Sequence, residues 1–282
     1  FKKCMMDLNF CSLESEPTWF VHFKGEKLDC MVINYVDDLM IFGSLQSRKQ
    51  VCENLRKVLK LKVQHLSIGE SKNKLRRGYR CYEFSSEDYV RSILKKFGFE
   101  KLKAATVPGF GHYLTLGEHM ERDKFWQDNY RSIVGKLLYL STNTRPDIAY
   151  AVSQVARFSH EPKESHAKAV KMIVRYLKGT KSHGTIVKPT GKLELEAFCD
   201  ADFAGLYGAE VPEEPASAKS RMGWIIKLGA CPMVWKSQLL SEITLSTAES
   251  EYAALSACMR VLIPFRRLLL EVASGVGLPA PM

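Results

Sequence analysis

Apolar and polar positions follow two different periods along this chain, and each change of period marks a new element. The short apolar runs Cys30-Met31-Val32-Ile33 and Leu39-Met40-Ile41-Phe42 flank Tyr35-Val36-Asp37-Asp38 and close at Gly43, which predicts strand, turn, strand. Residues 47–62 then fit a basic helix and residues 63–84 a short extended stretch. Ser85, Ser86, Glu87 and Asp88 supply a cap and an acidic first turn; Val90, Ile93, Leu94 and Phe97 form one apolar stripe, and Gly98 ends that helix. Residues 103–128 hold Pro108, Gly109, Gly111 and Gly117 with little periodicity and read as a linker.

Helical period returns beyond the linker. A helix from about Tyr130 to Leu140 turns Ile133, Val134, Leu137 and Leu138 inward. A second opens at Arg145-Pro146-Asp147, with proline suited to the first helical position, and buries Ile148, Val152, Val155 and Phe158. A third, about His166 to Leu177, buries Val170, Ile173, Val174 and Leu177 and stops at Gly179. From Leu193 the period becomes alternating, and a strand ends in Asp200-Ala201-Asp202. Met222–Leu228 and Pro232–Gln238 read as two more strands joined at Gly229-Ala230, so the sheet is expected to be antiparallel. A long helix follows, opened by the capping box Ser246-Thr247-Ala248-Glu249, kinked at Pro264 and running to about Val272.

The 282 residues, 46% apolar and 26% charged, exclude a disordered chain and allow two or more compact units. Eight scattered cysteines form no CxxC pair and lie near no histidine at zinc-ligand spacing, which points to free thiols in a reducing, intracellular compartment. No apolar run reaches membrane-spanning length, and no signal peptide is recognisable. The first residue is Phe1, not methionine, and the sequence at once reads as the middle of a domain, so a piece of a longer protein is expected. The net charge of +10 is confined to one place: residues 45–105 hold sixteen Lys and Arg against six acids, and the remainder is balanced. Within it, Lys72, Lys74, Arg76, Arg77 and Arg80 alternate with Tyr79 and Tyr82. Such a stripe suits a nucleic-acid backbone, whose counterions the cations displace; a solvated face is the other reading.

Two sets of carboxylates are candidates for chemistry. Adjacent acids at a tight turn repel one another unless a cation compensates, and Mg²⁺ takes one or two carboxylates completed by water and phosphate. Asp37 and Asp38 are thus candidate metal ligands, although an ordinary Asp-rich turn would look the same. On the long helix, steps of three and four from Glu251 reach Leu255, Cys258, Leu262, Phe265 and Leu269, which predicts that Glu251 heads the buried face. The same steps from Glu249 reach Ala253, Ser256, Arg260 and Arg267, leaving Glu249 as a capping acid. A carboxylate at the head of a buried stripe calls for a partner or a metal, and Asp200 is the companion; a partly exposed first-turn acid is the alternative.

Seven segments carry a resemblance over nearly the whole chain. They are Tyr35–Asp38, Gly135–Leu140, Thr144–Val152, Arg175–Thr180, Asp200–Gly205, Trp235–Gln238 and Leu245–Leu255. In number and order they resemble the reverse transcriptase and RNase H portion of copia-like LTR retrotransposon polyproteins. The resemblance implies an α+β or α/β multidomain fold: a polymerase palm end and thumb-like region over residues 1–105, a linker at 106–128, a helical connection at 129–180, and a truncated RNase H-like domain of three strands and a long helix at 181–282. It implies catalytic, metal-binding roles for Asp37, Asp38, Asp200 and Glu251, with Mg²⁺ or Mn²⁺, and nucleic-acid contacts from the basic stripe. The implied partners are RNA, DNA and RNA·DNA hybrid, with dNTP in the parent enzyme and no membrane. A cytoplasmic virus-like particle or the nucleus is the implied location.

Both implied metal cradles are expected to be incomplete. Two ions about 4 Å apart need carboxylates from several elements. The resemblance implies a further polymerase aspartate upstream, and the only aspartates before Asp37 are Asp7 and Asp29, neither in a matching context and Asp29 within the hairpin itself. No aspartate follows Asp202, and Glu271 lies about 30 Å along the helix from Glu251 at 1.5 Å per residue. The isolated chain is therefore expected to be inactive, with a non-catalytic nucleic-acid-binding remnant as the alternative and a decayed reading frame as a third possibility.

Overall fold

The structure, a computed structural model, describes residues 1–60, 70–76, 79–111, 113–116, 123–187, 194–211 and 213–275, with the side chains of 70–76 and 79–82 outside the description. Among the described residues the chain is mixed α/β, with seven α-helices and three antiparallel sheets. It divides into two compact units that do not follow chain order. One comprises Phe1–Ser67, Lys192–Leu195 and Arg260–Met282; the other comprises Ile68–Gly191 and Glu196–Met259.

The first unit is built on a four-stranded sheet in the order β1 (Cys11–Ser12), β2 (Trp19–Lys24), β3 (Lys27–Tyr35) and β4 (Asp38–Gly43). Helices α1 (Lys2–Asp7) and α2 (Leu45–Arg56) complete its core, where Met5, Phe10, Phe20, Cys30, Val32, Val51 and Leu55 are buried together. The expected β3–β4 hairpin is present, in register from Cys30↔Gly43 to Tyr35↔Asp38. Gly43 has φ +146 and lies so near β3 that a Cβ would sit 2.6 Å from the Asp29 carbonyl oxygen, so the strand can end there only on glycine. Ser44 accepts the Ser47 N–H at 3.1 Å and starts α2 directly.

The second unit has a helical core. α3 (Glu87–Lys96), α4 (Lys124–Asn143), a 3₁₀ turn at Pro146–Ile148, α5 (Ala149–Ala156) and α6 (Glu164–Gly179) bury one cluster that includes Ile93, Ile133, Leu137, Val152 and Ile173. The apolar stripes expected for α3, α5 and α6 are all buried. Three expectations need correction. α4 starts at Lys124 rather than Tyr130, because the Asp123 carboxylate accepts the Phe125 N–H at 2.9 Å and caps it early. Leu138 is 40% exposed, since the stripe Ile133, Val134, Leu137, Leu140 already fills the buried side. Ser86 holds the cap position of α3 but turns its hydroxyl to Thr144 Oγ1, 2.9 Å away, and makes no cap bond.

Two sheets belong to this unit. β5 (Glu70–Arg76) and β6 (Tyr79–Ser85) pair across the stretch expected to be merely extended, and an unforeseen strand, β7 (Gly184–Val187), joins β6. The other sheet has the order β10 (Cys231–Leu239), β9 (Arg221–Leu228), β8 (Leu195–Asp202), and its β9–β10 turn runs through Gly229 and Ala230 at positive φ, as expected. This sheet is fastened to the helices by side chains. The Trp235 indole N–H donates to the Ser141 carbonyl at 2.6 Å, one of the last four carbonyls of α4, which lack helical partners. The Arg221 guanidinium donates to Ser153 Oγ at 2.8 Å and Gln154 Oε1 at 3.3 Å on α5, and burial pulls its pKa down to about 10. The last helix, α7 (Thr247–Gly275), continues through Pro264 and is divided at Met259/Arg260 between the units.

Candidate functional site

In the first unit the acidic tip is a two-residue turn of Val36 and Asp37 between paired Tyr35 and Asp38. Val36 has φ 54, a left-handed conformation that costs an L-residue roughly 1–2 kcal/mol and is rarer still for a β-branched side chain. Tyr35 and Val36 are 73% and 80% exposed, so packing does not force this geometry on the tip. A strained turn that presents two carboxylates to solvent is the kind of backbone outlier that clusters at functional sites.

Neither upstream aspartate completes that tip. Asp29 sits at the other end of β3, about 20 Å away at ~3.3 Å per residue. Its carboxylate accepts from Ser47 Oγ at 2.7 Å and Lys24 Nζ at 3.1 Å, and the Ser47 bond is the first reason its pKa lies below the usual carboxylate value. Asp7 is exposed at the end of α1.

In the second unit Asp200 and Asp202 project from the exposed side of β8, alternating with half-buried Cys199 and Ala201. Asp202 accepts from the Tyr113 hydroxyl at 3.1 Å, and its carboxylate packs so tightly on Gly205 that a Cβ there would come within 2.0 Å of it. Gly205 is thus the residue that lets the segment Asp200–Gly205 fold back on itself. Glu249 behaves as its position predicted. Its N–H donates to Ser246 Oγ at 3.1 Å, and its carboxylate accepts from the Leu245 N–H at 2.7 Å, one residue before the cap.

Glu251 does not head the buried face of α7. Ser250, Ala254 and Cys258 are 0%, 0% and 1% exposed, whereas Leu255 is 44% exposed and Glu251 faces solvent with it. Periodicity offers two adjacent stripes, and the smaller side chains pack inward because they permit the closer approach. The carboxylates of Asp37, Asp38, Asp200 and Glu251 make no hydrogen bond or ion pair among the described residues. No group of three or more His, Cys, Asp or Glu there is placed to hold a metal ion. Among the described residues the acids do not assemble into a two-metal cradle.

Of the basic stripe, Lys72, Lys74 and Arg76 fall on β5 and Arg80 on β6, while Arg77 and the side chains of the other four lie outside the described residues. The residues that sequence reasoning passed over are held by partners instead. Arg145 is 1% exposed; it donates to both Asp147 oxygens and to the carbonyl and hydroxyl of Thr180 at 2.7–3.3 Å. Burial pushes the Asp147 carboxyl up, but Arg145 and the Tyr176 hydroxyl at 2.7 Å outweigh it and hold its pKa below the usual value. Glu271, in the first unit, accepts the N–H groups of Glu14 and Ser15 at 2.7 and 2.9 Å.

Curated proteins give the comparison that the geometry alone does not. The chain is 30% identical over 256 residues to the retrovirus-related Pol polyprotein from transposon RE1 of Arabidopsis thaliana, covering 89% of this chain and 16% of that one. It is 29% identical over 284 residues to the corresponding polyprotein from transposon TNT 1-94 of Nicotiana tabacum, covering 96% and 20%. With the putative transposon Ty5-1 protein of Saccharomyces cerevisiae it shares 33% identity over 261 residues, 88% of this chain and 79% of that protein. The chain belongs to the retrovirus-related Pol polyproteins of copia-like retrotransposons. It spans a fifth or less of the two plant polyproteins. No family model matches the chain, and no solved structure does.

Proposed function

We propose that this chain is the part of a Pol polyprotein that runs from the palm hairpin of an RNA-directed DNA polymerase into the first half of an RNase H domain. The parent would use dNTPs and act on RNA, DNA and RNA·DNA hybrid with Mg²⁺ or Mn²⁺, and this piece by itself would be inactive. The observation that carries the reading is the strained Tyr35-Val36-Asp37-Asp38 tip, a tight hairpin turn with both carboxylates in the open. In the parent, Asp37 and Asp38 would bind one side of a metal pair that positions a primer hydroxyl and a leaving pyrophosphate. Asp200 and Glu251 would do the same for water and an RNA phosphodiester, with further acids supplied from elsewhere. The purified 282-residue chain should extend no primer and cleave no hybrid. Metal-dependent turnover that disappears in Asp38→Asn or Asp200→Asn would refute the claim of inactivity while supporting the site assignment.

A second reading starts from the basic stripe Lys72, Lys74, Arg76, Arg77 and Arg80: a non-catalytic nucleic-acid binder. It predicts that RNA·DNA hybrid binds with a steep salt dependence, each phosphate contact contributing a slope of roughly 0.9 in log–log form. Neutralising Arg76, Arg77 and Arg80 should flatten that slope by about 3. Equal binding by the triple variant would remove the basic stripe from the interface.

A further inference from the structure

Four consecutive residues in the second unit, Tyr113 to Leu116, are each held by a side chain from a different place in the fold. The Tyr113 hydroxyl donates to Asp202 at the end of β8. The Leu114 carbonyl accepts from Arg157, just past α5, at 3.3 Å. The Thr115 carbonyl lies 2.7 Å from His166 Nε2 on α6, and the Leu116 N–H donates to both oxygens of Glu210 at 2.9 and 3.1 Å. These residues form a strap, with Leu114 buried in the helical core as its anchor.

The histidine pin has a defined protonation state. His166 is fully buried, with its ring stacked on Phe158 at 3.6 Å. Its Nδ1 accepts the Lys163 N–H at 3.0 Å, so Nδ1 carries no proton, and Nε2 must carry the one donated to Thr115. The ring thereby takes the place of Glu or Gln in a capping box, bonding the cap residue of α6 from the third helical position. A second proton would put a donor against a donor. It would also place a positive charge in a buried site, at the positive end of a helix, beside Lys163 and the Arg157 guanidinium. Arg157 lies over the same Phe158 ring at 4.9 Å, with Glu214 in its field. The Thr115 carbonyl that Nε2 bonds and the Glu210 carboxylate oppose, but Glu210 is already engaged by Leu116 and by Arg157 at 3.5 Å. Burial first, then these cations, lower the His166 pKa.

We propose that His166 is a proton-operated latch for the strap Tyr113–Leu116: the neutral ring closes it, and the protonated ring leaves its slot and releases Thr115 and Lys163. The folded pKa lies below the unfolded value near 6.5, so the latch is fully closed above that pH and opens as pH falls below it.

Amide exchange of the full chain, corrected for intrinsic rates, tests this between about pH 7.5 and about pH 5.5. Protection of the Lys163 and Leu116 amides should fall by up to about tenfold, the limit for one proton taken up with a pKa near 6.5, while Leu137 and Leu140 on α4 keep theirs. In His166→Gln, whose amide accepts and donates without titrating, Lys163 and Leu116 should stay protected at both pH values. Unchanged protection in the natural chain, or an equal loss at all four amides, would overturn the proposal. Where the variant does not fold, the imidazole resonances of the natural chain decide: a midpoint at or above about 6.5 also overturns it.

Discussion

At the β3–β4 tip, Asp37 and Asp38 stand in the open with no partner among the described residues, on a turn whose Val36 is held in a left-handed conformation. In the helical core, Arg145 is buried, with four acceptor atoms around one guanidinium and the Tyr176 ring 5.5 Å from it. Both lie in segments whose resemblance to a known family is specific. The contrast teaches that a recurrent motif can mark either a site or a staple. Partner satisfaction tells them apart: staples are over-determined by neighbours inside the chain, whereas groups meant for a ligand are left incomplete.

The sharpest way to break the contrast is to remove the best-satisfied group. Arg145→Met should destabilise the second unit by about 3 kcal/mol in urea unfolding, the low end for breaking a buried ion pair because Asp147 keeps some access to water. The Thr180 carbonyl, just past the end of α6, loses its partner in the same step. Asp38→Asn, Asp200→Asn and Glu251→Gln should each stay within about 0.5 kcal/mol of the natural chain. A carboxylate change as large as Arg145→Met would mean that the open acids have structural partners after all. Next in size is Trp235→Phe, which keeps the ring and leaves the Ser141 carbonyl unbonded; about 1–2 kcal/mol is expected.

Periodicity made most of the fold legible, since the β3–β4 hairpin, the three buried helices and the β9–β10 turn all stand where the apolar pattern placed them. It failed where a side-chain bond, not burial, decides. Asp123 starts α4 early because one carboxylate caps it, and Ser86 gives up its cap to reach Thr144, 58 positions on. β7 was missed because four residues carry too little alternation, and its partner β6 precedes it by about a hundred positions. The candidate site was legible as residue types but not as an arrangement. Glu251 lies on a stripe of the right period and the wrong face, because spacing cannot rank two neighbouring stripes. Arg145 and Thr180 carried a usable signal, two recurrent segments with complementary groups, but nothing in one sequence says that they meet. His166, Glu210 and Glu271 offered less, since each acts on backbone N–H or carbonyl groups that every residue has.

Glu271 gives a finer test, because it is a satisfied carboxylate on the surface rather than in a core. Burial tends to raise its pKa, but the Ser15 and Glu14 N–H groups prevail and the net shift is downward. A carboxyl whose folded pKa is depressed adds stability that is present above the unfolded value near 4.5 and is lost as pH falls through the folded value. Glu271→Gln should therefore cost about 1 kcal/mol at neutral pH, and the gap should close on acidification. A gap that is constant with pH would assign the loss to packing, not charge.

The smallest expected effect probes the tip itself. Val36→Gly removes a β-branched side chain from a left-handed position where it packs on nothing, and glycine takes that conformation without strain. Part of the relief is offset by the greater freedom of glycine in the unfolded chain, so a net gain of roughly 0.5–1 kcal/mol is expected in the urea midpoint of the first unit. A gain would mean that the strain serves something other than stability, which is what the contrast with Arg145 requires. A loss of similar size would mean that the valine stabilises the folded tip, and the hairpin would then join the staples.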